Sequence, residues 1–131
     1  MAAIVQHAQN AVDAASVSVG SAQGWATPKA GNILVAITNS DNVVTKPSGF
    51  TARASYVSDQ GFYVWDKVSD GTESTITVTL GADNCTLTCV ELDASVVSVF
   101  DVASTVHSAN SNALSFTVTS ATTTGSAGDL I

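Results

Sequence analysis

Charge is the scarcest resource in this sequence. Charged side chains make up 11% of the 131 residues, where an ordinary globular protein carries roughly 25%. Bases are fewer still: Lys29, Lys46, Arg53 and Lys67 stand against eleven acids, for a net charge of −7. Nucleic-acid binding neutralises phosphates with clustered Lys and Arg. Four scattered cations argue against it, and against an anionic membrane surface for the same reason. No run approaches the roughly 20 apolar residues of a spanning helix. The start, Met1-Ala2-Ala3-Ile4-Val5-Gln6-His7, has no basic segment and no long apolar one, so no secretory signal is expected.

Reactive groups are equally few. His7 and His107 are the only histidines and Cys85 and Cys89 the only cysteines. His107 has Asp101, Ser104 and Ser108 near it in sequence, but no nucleophile motif accompanies them. No acid/base or nucleophile constellation exists, and the chain is not read as an enzyme. On a strand, Cys85 and Cys89 point to one face about 13 Å apart at roughly 3.3 Å per residue. A disulfide needs Cα atoms within about 7 Å. Buried free thiols, made in a reducing cytoplasm, are therefore expected. The same divergence argues against zinc. Asp70 with Glu73, and Asp83 with Asn84, offer oxygen ligands, but turn-forming residues need no metal to explain them. No metal and no cofactor are expected.

What the chain has in place of charge is Ser, Thr, Ala, Asn and Gly. Such a surface is neutral and hydrogen-bonding, and suits packing against copies of itself or against a large assembly. The organising stretch is residues 31–38, Gly-Asn-Ile-Leu-Val-Ala-Ile-Thr. It is β-branched at Ile33, Val35 and Ile37 and has turn chemistry on both sides, which predicts a strand buried on both faces. Earlier, Ile4-Val5-Gln6 predicts a short strand followed by loop, with residues 1–14 as an extended N-terminal arm; residues 2–15 also permit an amphipathic helix with Ile4, Ala8, Val12 and Ala15 along one face. Ala15, Val17 and Val19 then alternate with Ser16 and Ser18. Residues 20–31 read as a loop carrying Trp25 and Pro28.

Strands are predicted at 50–57 and 62–68, joined by the turn Ser58-Asp59-Gln60-Gly61. The second is bulky on both faces, with Phe62, Val64 and Val68 on one and Tyr63, Trp65 and Lys67 on the other. Ile76, Val78 and Leu80 alternate with Thr75, Thr77 and Thr79. Gly81-Ala82-Asp83-Asn84 reads as a turn into a strand at 85–92. Residues 99–112 read as a polar loop and 114–119 as a further strand. Short strands with turns between them predict one all-β domain over residues 1–131, an antiparallel β-sandwich, jelly-roll-like, of about 7–8 strands. The ending Ala127-Gly128-Asp129-Leu130-Ile131 repeats the pattern Ala30-Gly31-Asn32-Ile33-Leu34. It predicts a last strand at 128–131 that is cut short or completed by a neighbour.

Ala30-Gly31-Asn32-Ile33-Leu34-Val35-Ala36, Pro47-Ser48-Gly49-Phe50-Thr51, Tyr63-Val64-Trp65-Asp66-Lys67-Val68, and Thr122-Thr123-Thr124 leading to Gly128-Asp129-Leu130-Ile131 occur in that order. Together they resemble a β-sandwich module of bacteriophage structural proteins. Members typically read Ala-Gly-Asp-Leu-Leu-Val-Ala, Pro-Pro-Ser-Gly-Trp-Thr, and an aromatic run ending in Lys-Val-Ala. Asn32, Lys46, Phe50 and Ser69 depart from that pattern. The resemblance implies a jelly-roll-like sandwich in a virion, made in the host cytoplasm, with no catalytic residues. Its expected role is capsid decoration or head surface, with a tail or fibre module as the alternative. Expected partners are other virion proteins and further copies of the chain. The contacts expected for this role are residues 2–14 and 99–112. The rival reading is a carbohydrate-binding receptor module in which Trp25, Tyr63 and Trp65 stack on sugar rings, against which stands their use as packing area.

Overall fold

A computed structural model describes residues 4–40, 42, 44–56 and 61–95. Within them the chain forms six strands and a single 3-10 turn at Ser21–Gln23: β1 (Ile4–Val19), β2 (Ile33–Ser40), β3 (Val44–Thr45), β4 (Thr51–Tyr56), β5 (Gly61–Val68) and β6 (Ile76–Leu92). All pairings are antiparallel and belong to one curled sheet in the order β1-β6-β2-β5-β4, with β3 also on β6. The all-β antiparallel expectation holds. The described residues form one sheet, and the two-layered arrangement expected of a sandwich is not seen among them. The readings at 99–112, 114–119 and 128–131, together with His107, lie outside the described residues.

The run at 33–37 becomes β2, which lies between β6 and β5. Leu34 and Ala36 are buried on the concave side and Ile33 on the other, while Val35 and Ile37 are half-buried. A tight turn delivers the chain into it. The Asn32 amide donates to the Lys29 carbonyl at 3.1 Å, and Gly31 takes a φ of 90°. That is the third position of a type II turn, where glycine avoids the steric cost of positive φ. Before β4, Phe50 closes the same kind of turn on Pro47 at 3.2 Å, around Gly49.

Two elements differ from expectation. Residues 4–14 are not an arm: they form the first part of β1 and pair with β6 from Ile4↔Leu92 to Ala14↔Asp83. Residues 81–84 are not a turn: β6 runs through them for 17 residues. The Gly, Asp and Asn of this stretch instead mark a bend. Inward residues of β6 are Ile76, Val78 and Leu80 before it, and Cys85, Leu87 and Cys89 after it, so the inward parity switches. On β1, inward Ala8 and half-buried Val12 give way to Val17 and Val19, and the register shifts between Ala14 and Ser16. A parity switch with a register shift is what a bulge produces, and bulges bend strands.

The bend is sharp. Asn10 Nδ2 donates to the carbonyl of Ser18 at 2.8 Å, although eight residues of straight strand would span about 26 Å. The β1–β6 ribbon therefore curls back on itself. Its concave side holds the core, which includes Trp25, Leu34, Phe50, Tyr63, Trp65 and Leu87. Cys85 and Cys89 are buried thiols of this core. Burial pushes the Cys89 thiol up to about 12, so it stays protonated and unreactive at neutral pH.

Candidate functional site

The three rings of the rival sugar-platform reading lie in the core. Trp25, Tyr63 and Trp65 are 2%, 8% and 3% exposed. Tyr63 and Trp65 stack on one another, with centroids 5.7 Å apart and planes 11° from parallel. The Trp25 indole donates to the Glu73 carbonyl at 2.9 Å. A sugar cannot stack on a face that the protein's own side chains cover. On β5 the larger aromatics mark the inner face, which leaves Phe62, Val64 and Val68 on the outer one.

Asp70 and Glu73, weighed as one pair of calcium ligands, are engaged within the protein. Lys67 Nζ lies 2.6 Å from Glu73 and 2.9 Å from Asp70. Asp70 accepts from the amide and hydroxyl of Thr72, and Glu73 from the Ser69 hydroxyl at 2.7 Å. Burial alone would raise Glu73, but the Lys67, Asp70-amide and Ser69 hydrogen bonds outweigh it and hold its carboxyl at about 2. Asp70 is lowered by Thr72 first and then by Lys67; Lys67 is raised by Glu73 and then by Asp70. The effect is to fasten the β5–β6 loop under Trp25. Among the described residues no three of His, Cys, Asp and Glu gather as a metal site.

A polar network at one mouth of the curl was not anticipated. Glu91 is 1% exposed. Its Oε2 accepts from Gln6 Nε2 at 2.6 Å, and its Oε1 from Asn32 Nδ2 at 2.6 Å and the Lys29 amide at 2.9 Å. Gln6 also exchanges two hydrogen bonds with the backbone of Ala26. Three donors satisfy a buried carboxylate that would otherwise be costly. The network ties β1 and β6 to the 24–32 loop. The available signal was Glu91 standing between apolar Val90 and Leu92.

A polar cleft of about 390 Å³ lies beside the ribbon bend, with Asp13, Asn39, Ser40, Asn84 and Thr86 among its lining residues.

The sheet's outer face is the most distinctive surface. The register aligns Leu92, Ile33 and Val68 in one row across β6, β2 and β5, then Val90, Val35 and Asp66, then Thr88, Ile37 and Val64, then Thr86, Asn39 and Phe62. Most of these positions are apolar. Ile33 and Leu92 pack together with Val35 and Val90 against them, while Phe62 and Val68 remain 41% and 51% exposed. Asp66 is held by Arg53 at 2.8 Å, so the charge it brings to this face is paired. Such a surface is largely apolar and open to solvent at Phe62 and Val68.

The fold and this surface define an all-β protein built on one curled antiparallel sheet, apolar on both faces. Comparison with family models, curated proteins and solved structures finds no match.

Proposed function

We propose that this chain is a structural protein of a bacteriophage virion, a capsid decoration or head-surface protein, with a tail or fibre module as the alternative. Its partners are other virion subunits and further copies of itself. The observation that carries the reading is the outer face of β6, β2 and β5. Contiguous exposed apolar surface marks contact sites; on this face Phe62 and Val68 are exposed at the two ends of β5, and the chain has little charge to set against them. The resemblance to phage modules supplies the setting. Three of its motifs fall on neighbouring parts of this sheet: the turn into β2, the turn into β4, and β5. Its fourth motif lies outside the described residues.

The mechanism is adhesion by area. Stable contacts bury roughly 1,200–2,000 Å², and symmetric copies multiply a weaker one. The expected contact at residues 2–14 changes character: residues 4–14 belong to the sheet, so removing them would strip β6 of a partner. A contact test must use surface substitutions instead. Sedimentation of particles from a host lysate carrying this gene, followed by mass spectrometry, tests the reading. Peptides of this chain are expected in the particle band, and their confinement to the soluble fraction would overturn it.

A further inference from the structure

We draw no further inference here: the strongest candidate, the apolar outer face of the sheet around Val68, Val64 and Phe62, belongs to the reading just given, and nothing in the structure shows which chain covers it.

Discussion

At the scale of single residues, the buried Glu91 network makes the sharpest demand. Asn32 donates to Glu91, and Asp at that position could do so only when protonated. Asn32→Asp would set two carboxylates against each other in a buried site. The expected cost is about 3–5 kcal/mol at pH 7, the range for an uncompensated buried charge. One of the pair would bind a proton more tightly folded than unfolded, so the folded state takes up protons and the deficit shrinks as pH falls. Urea unfolding of both proteins at pH 7 and pH 5 measures this; equal stability at pH 7 would refute it. Glu73 has the opposite sign. Its folded carboxyl sits at about 2, below the usual 4.5. Its contribution is complete above pH 4.5 and disappears as pH falls from there through about 2. Glu73→Gln should lower stability at pH 7 by about 1 kcal/mol and flatten this acid limb, while an unchanged limb would point to other carboxylates. The thiols give a third test. Cys85 and Cys89 should react with a thiol reagent only when the chain unfolds, and fast labelling of the native protein would contradict their burial.

At the scale of elements, the β1–β6 ribbon is the structure's main device, and it was the part least legible in the sequence. Strands with clean alternation and turn flanks could be read directly, as at Ile76, Val78 and Leu80 against their threonines. The first half of β1 could not. Its Ala, Gln and Asn residues have little strand preference of their own, and pairing with β6 decides their conformation. Gly81 to Asn84 carry true turn chemistry, yet they lie within one continuous strand, paired with β1 at Asp83 and Asn84, and the chemistry is expressed as a bend. Of the candidate site, the aromatic residues were legible as packing area but their side of the sheet was not, since both faces of β5 are bulky. The outer rows emerge only once register is known. The bend itself can be tested through Asn10, whose amide spans it. Asn10→Ala should cost about 1 kcal/mol, the usual net worth of such a bond, and loosen amide protection near Ser18. On β5, a Cβ at Gly61 would sit 2.7 Å from the Tyr63 ring and 3.0 Å from the Ser40 carbonyl. Gly61→Ala should therefore cost about 1–3 kcal/mol by overpacking, seen as a lower thermal midpoint. A neutral effect would mean the ring moves aside freely.

At the scale of the whole molecule, a sheet with two apolar faces has one more than a small monomer needs. The concave face is filled from within by Trp25, Tyr63, Trp65 and Phe50. The convex face keeps Phe62 and Val68 partly open to solvent, and the sparse charge supplies little repulsion between neighbours. On the proposed function, stability belongs to the inside of the curl and adhesion to the outside. The most direct test is incorporation of Val68→Asp into particles, compared with the unaltered chain at matched expression and with circular dichroism confirming the fold of each. The account predicts that the unaltered chain sediments with particles and that the folded variant is depleted from them at least tenfold. Equal recovery of the variant in particles would contradict it.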